Sequence, residues 1–415
     1  MMSRGIVFGL ILICHPLRLL ADSSSIERVA REPKIREALA YVDAHQLQTG
    51  EFLASIGAIV SPSGHERKRA QAVAKHMRDI GLQNVSVDGA PNAVGIIPGR
   101  SPRALVFTSM LDDDPTTVKN QKSATRAPYV ADGRVIGAGT DTSSTTGAML
   151  AGAEAIVKSG IRPEQTLIFA AVSQVETGLN GMRTLYAQYK DTATAFVDVV
   201  GDGRSIFHGA LGIHWWKVVA NGPAGHTLEG GVPNVNQAIA RSVDRILSLQ
   251  QDPASHTVIN VGMMQSGDAF NHRPADGWFS LDIRSMDNGT IEKIEKNVRT
   301  ILDQVAKETS IGLTMEAVQN TPAGQIAGSR DSALVRTSQN IVKYLGLNPV
   351  LSDWGVTNMN IAIANGTPAI ALVGGPPQPK GSGDSVDISM MTRAGKEIVL
   401  LAATLKPAAD PAHHE

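Results

Sequence analysis

The apolar positions change period along the chain, and the changes mark its elements. Continuous apolar runs at Ala104-Leu105-Val106-Phe107-Thr108 and Thr166-Leu167-Ile168-Phe169-Ala170-Ala171-Val172 read as buried strands. Asn92 to Ile97 reads as a shorter one, and a helix is expected from Ser144 to Lys158. Val73, Met77 and Ile80 mark one face of an earlier helix. That helix follows the loop Val60 to Glu66, where Ser63 and Glu66 have the spacing of a capping box. Strands alternating with helices predict a mainly parallel sheet, with sites at the C-terminal ends of its strands.

Near residue 210 the order changes. Ile213–Ala220, Val258–Met264, Trp278–Arg284 and Leu313–Val318 read as strands. Asn234–Leu249 and Thr290–Lys307 read as helices, the second with Ile291, Ile294, Val298, Ile301 and Val305 on one face. Strand–helix–strand–strand–helix–strand is the split ferredoxin-like unit. Beyond Pro322-Ala323-Gly324 the chain returns to a helix (Ser332–Leu345) and a buried strand (Ala369–Val373). The expected fold is α/β: a mainly parallel mixed sheet with helices on both faces, plus an inserted ferredoxin-like α+β lid. The parts are 22–209, the lid at 210–320, and 321–415.

Composition narrows the chemistry. The 415 residues carry a formal charge of −1, which argues against a nucleic-acid partner. One cysteine excludes a disulfide framework and any multi-thiolate zinc site. A bound metal would need His, Asp and Glu. Arg4, the apolar run Ile6 to Cys14 and the polar stretch from Asp22 read as a signal peptide over 1–21, hence a secreted or periplasmic protein, or one anchored by its N-terminus. The run is too short for a membrane span, which needs about 20 residues.

Acidic residues recur at strand ends and helix starts: Met110-Leu111-Asp112-Asp113-Asp114, Gly137-Ala138-Gly139-Thr140-Asp141, Gln174-Val175-Glu176-Thr177-Gly178, and Asp198 to Gly203. Single acids there are ordinary caps, but several at one sheet edge repel unless a cation lies between them. The string resembles the co-catalytic zinc exopeptidases and amidohydrolases, the group of aminoacylase, glutamate carboxypeptidase, acetylornithine deacetylase and succinyl-diaminopimelate desuccinylase. Met110-Leu111-Asp112 stands at the family's His-x-Asp, and Gly137 to Asp141 at the turn before its bridging aspartate. Val175-Glu176 stands at its Glu-Glu pair, and Asp202, or less well Asp198, at its further aspartate ligand. Gly222 to Thr227 with His226, Asn271, Leu281 to Ser285 with Arg284, and Thr357-Asn358 resemble its lid and late motifs.

The resemblance implies Asp141, Glu176 and Asp202 as metal ligands, with zinc as the family metal. It implies Asp112 and His226 as catalytic groups, and Asn271, Arg284 and Asn358 as substrate contacts. The ligand would be a peptide or acyl-amino acid, and the lid would support a homodimer. Arg284 has a plainer alternative, pairing with Asp282.

Three departures weigh against ordinary hydrolysis. Met110 replaces the first histidine, and a thioether is a soft ligand ill suited to an oxygen-rich zinc site. Val175 replaces the general-base glutamate. No histidine lies between Asn358 and Pro411, where the family's last ligand belongs in the Gly383 region. The reading is therefore a family member with impaired or altered chemistry, holding two metals poorly, one hard cation, or none. Its alternatives are a ligand-binding pseudoenzyme, or metal-independent chemistry at Asp112 to Asp114 in a pocket reshaped by Trp215, Trp216, Trp278 and Trp354.

Overall fold

The computed structural model describes residues 23–231, 233–374 and 384–406. The proposed signal and the Gly383 region lie outside these residues. The larger sheet has eight strands, and its centre is the parallel set Gln165–Val172, Ser101–Met110, Ala193–Val200 and Ala369–Val373. Gln83–Val87 and Ala93–Ile97 add an antiparallel edge, and Ser205–Phe207 and Val350–Ser352 form the other. The central strands are apolar on both faces because helices cover both, so they read as runs rather than as alternation.

On one face, Gln46–Gly57, Thr140–Lys158 and Ile388–Thr404 pack around Leu53, Met149, Ile156, Met391 and Ile398. Thr140–Lys158 is rich in Gly, Ala, Ser and Thr, and this lets Ile388–Thr404 approach closely. A Cβ on Gly152 would lie 2.7 Å from the Gly395 carbonyl oxygen and 2.8 Å from Ile398 Cβ. Asn180–Tyr189 and Met359–Ala364 cover the other face over Phe196, Leu185 and Met359. Aromatics are few, yet Phe107 and Phe169 stack on neighbouring strands with ring centroids 5.3 Å apart.

The second sheet is antiparallel, in the order Val258–Asn260, Asp276–Ser285, Gly212–Asn221, Gly312–Thr321. Val235–Leu247 and Asn288–Thr309 bury Ile239, Ile246, Ile294 and Val298 against it. This is the expected ferredoxin-like order. One expected strand is broken: Val258–Met264 divides into Val258–Asn260 and Met264–Ser266, both paired to Asp276–Ser285. The helices Ser23–Ala30, Pro33–Ala44 and Gln46–Gly57 precede everything the apolar pattern had marked. Among the described residues no helix is long and apolar enough to cross a membrane.

Candidate functional site

Met110 ends its strand level with Val172, so the acids that follow both strands meet at one sheet edge. Asp112 is fully buried, and its two oxygens accept the N–H groups of Val175 (3.0 Å) and Glu176 (2.9 Å). Burial nevertheless pushes its carboxyl above the usual range, outweighing those amides and the Ser63 hydroxyl. Instead of orienting an imidazole, Asp112 here ties down the turn after the neighbouring strand.

Asp113 takes a wholly structural role. Arg69 Nη1 and Nη2 reach its oxygens at 2.8 and 2.6 Å, and the Thr142 hydroxyl donates to it as well. The pair is buried, and Arg69 also donates to the carbonyls of Ile59 and Leu111. Asp114 caps Pro115–Ser123 by accepting the amides of Thr116 and Thr117.

Glu176 is half-buried; burial first, then the charges of Asp112 and Asp114, raise its pKa. Asp141, exposed in the first turn of Thr140–Lys158, is raised by partial desolvation, then by Asp384 and Asp114. Asp384 faces the Gly137–Asp141 loop and accepts the Gly139 N–H at 3.2 Å. Asp112, Asp114, Asp141, Glu176 and Asp384 thus share one field. Among the described residues, no three His, Cys, Asp or Glu are placed to hold a metal ion. The segment 375–383 carries none of these residue types.

Asp202 follows the end of Ala193–Val200 and has its own partners. It is fully buried and accepts Arg393 Nε at 2.8 Å and Arg204 Nε at 3.3 Å. The resemblance implies it as an open metal ligand; in the structure two guanidinium groups hold it. Beside it lies Glu397, buried with neither oxygen hydrogen-bonded. Burial, then the Asp202 charge, lifts Glu397 well above its ordinary range, with Arg393 opposing. Asp198 lies deeper in its strand and accepts Thr108 Oγ1 (2.6 Å), the Asn358 N–H (2.9 Å) and Asn358 Nδ2 (3.1 Å).

The substrate contacts expected from sequence fare unevenly. Asn358 is buried against Asp198 rather than open to a ligand. Arg284 pairs with Asp282 at 2.9 Å, its plainer alternative. His226 and Asn271 do meet, Nε2 to the amide at 3.3 Å, and His272 joins from the facing strand with Nδ1 3.0 Å from the amide. The Leu228 N–H donates to His226 Nδ1, so a neutral His226 carries its proton on Nε2.

Three of the tryptophans have partners other than the strand-end acids. Trp216 donates to Glu295 from the second sheet, Trp278 lies under Lys217, and Trp354 faces His256 at 5.0 Å between centroids. Val175, at the general-base position, packs against the core beneath the turn. The expected capping box is also absent. The helix begins at Arg67 without a side-chain cap, Ser63 bonds Thr177, and Glu66 accepts the amides of Gly64 and Gln174.

The last strand of the second sheet reaches this edge: Arg183 Nη2 donates to the Asn320 carbonyl at 2.6 Å, close to Gly178. Residues 208–310 match the family of peptidase dimerisation domains. A tripeptidase from Staphylococcus aureus superposes with a TM-score of 0.70 at 20% identity, covering 87% of this chain and 99% of its own. The chain has the M20 peptidase fold. An aminopeptidase PepT from Bacillus cereus is similar too (TM-score 0.69, 16% identity, 86% and 98% covered). So is a dinuclear metal-binding M20 peptidase from Bacillus subtilis (0.64, 12%, 87% and 98%). No curated protein matches the chain. The M20 fold accounts for the resemblance read from the motifs.

The donor set does not fit a two-zinc M20 centre. Met110 offers a thioether in place of an imidazole, and Asp202 is paired with two arginines.

Proposed function

We propose that this chain binds a peptide or acyl-amino-acid-like amide at the strand-end edge, and that two-zinc hydrolysis is not its activity. The observation that carries this is the clamp of Arg393 and Arg204 on Asp202, which occupies a position where a zinc ligand would have to be free. Val175 adds to it, since a side chain without a proton acceptor cannot activate water. The groups left for a ligand are polar and acidic. Asp141, Glu176 and Asp384 suit an ammonium or an amide N–H, and His226 with Asn271 can accept or donate at the lid. A single hard cation between Asp141 and Asp384 is the second reading, favoured by Asp384 facing the loop that carries Asp141. The proposal includes export by residues 1–21, a lid at 210–320 and pairing through that lid.

A thermal-shift screen with dipeptides and N-acyl amino acids, run beside a hydrolysis assay with zinc added, tests the reading. At ligand a hundredfold above Kd the stabilisation is about 2.7 kcal/mol, a clear rise in Tm. The expected result is such a rise with no product. Robust zinc-dependent turnover would overturn the proposal, and an unmoved Tm with every ligand would remove its binding half.

A further inference from the structure

A second concave feature lies beside the same edge. The loop before the helix Arg67–Asp79 borders a cleft of about 610 Å³ whose lining includes Pro62, His65, Arg67, Lys68, Pro91 and Gln174. That volume is in the range of small-molecule sites, about 300–1,000 Å³. None of the five strand-end acids lines it, and the lining contains no acid at all.

The lining carries two exposed cations. Arg67 and Lys68 are exposed, and among the described residues neither side chain makes a hydrogen bond or ion pair. No side chain caps the helix, because Glu66, the residue placed to do so, turns its carboxylate to the amides of Gly64 and Gln174. The first-turn amides and the positive end of the helix dipole therefore add to the two side-chain charges. The Glu66 carboxyl lies behind the cleft, where burial raises its pKa and the Gly64 and Gln174 amides oppose that rise. Pro62 and Pro91 stiffen two walls, and Gln174 holds a third with a left-handed φ of 55°. A chain with net charge −1 has no general attraction for anions, so these cations form a local feature.

We propose that this cleft is an anion-binding site, separate from the strand-end acids, for a small molecule carrying a phosphate or clustered carboxylates. Arg67 supplies a planar fork for two oxygens, Lys68 a point charge, and His65 a ring donor.

Titration calorimetry on the full chain tests it, with pyrophosphate and citrate as probes at ionic strength fixed with sodium chloride. Arg67→Ala/Lys68→Ala removes both charges from exposed positions, and circular dichroism checks its fold. Lys293→Ala/Lys296→Ala, exposed on a lid helix, serves as the control. The expected result is saturable binding of at least one probe, weakened about tenfold or more in the first variant and unchanged in the second. A preference between the probes tells phosphate from carboxylate recognition. No saturable binding of either probe, or equal affinity in the two variants, would overturn the proposal. Neither outcome bears on the amide ligand proposed for the strand-end edge.

Discussion

Arg69→Ala is expected to cost about 3–5 kcal/mol, the usual penalty for removing one partner of a buried ion pair. The guanidinium holds both Asp113 oxygens and two carbonyls, those of Ile59 and Leu111, so one truncation strands a buried charge and two acceptors. Asp113 in turn donates its N–H to the Ser61 carbonyl, which fastens the loop before the helix to the end of the central strand. Arg69→Lys should recover only part of the loss, because an ammonium cannot reproduce the two-pronged contact. Arg69→Met/Asp113→Leu should be milder than Arg69→Ala, since it removes the charge along with its partner. Urea unfolding of the three variants measures this. A loss below about 1 kcal/mol in Arg69→Ala would show the pair to be structurally idle.

The second large effect is at the other buried acids. Arg393→Met removes the shorter of the two contacts on Asp202 and the one positive charge that opposes the raised pKa of Glu397. A loss of about 3–5 kcal/mol is expected at neutral pH. Its pH dependence follows from Glu397. A carboxyl whose folded pKa lies above its unfolded value of 4.5 is bound to a proton more often in the folded state. Below pH 4.5 it contributes nothing either way. As pH climbs above 4.5 toward the folded value, ionisation is favoured in the unfolded chain, and stability falls. Glu397→Gln should flatten that fall, and Arg393→Met/Glu397→Gln should recover part of the loss in Arg393→Met. Denaturation across pH 4 to 8 reads both. A double variant no more stable than Arg393→Met would mean that Glu397 does not feel the arginine.

Much of this fold was legible because apolar runs and helical faces are local signals. The ferredoxin-like order emerged from Ile213–Ala220 through Leu313–Val318 with ends shifted by one to three residues. The break near Asn260 was not visible, since Val258 to Met264 is apolar at all but Asn260 and Gly262 and so reads as one run. The capping box failed because Glu66 is drawn to Gln174, a partner 108 residues away that no local pattern reveals. Arg69 had a usable signal: it lies four and eight residues before Val73 and Met77, on the very face read as apolar. A cationic side chain at such a position needs a buried acid, and Asp113 is that acid. Asp202 looked like an open ligand because its two arginines differ in visibility. Arg204 is two residues away, whereas Arg393 arrives from the last helix. The replacements at Met110 and Val175 were readable directly. How Asp112 is reused, on the amides of Val175 and Glu176, required the fold.

On the function proposed above, an M20 fold persists here without a two-zinc centre. Metal analysis of the purified chain, equilibrated with excess zinc and then desalted, tests it most directly. Fewer than two zinc ions per chain are expected, with Arg393→Met gaining none, since Met110 still offers no imidazole. Two tightly held zinc ions per chain would contradict it.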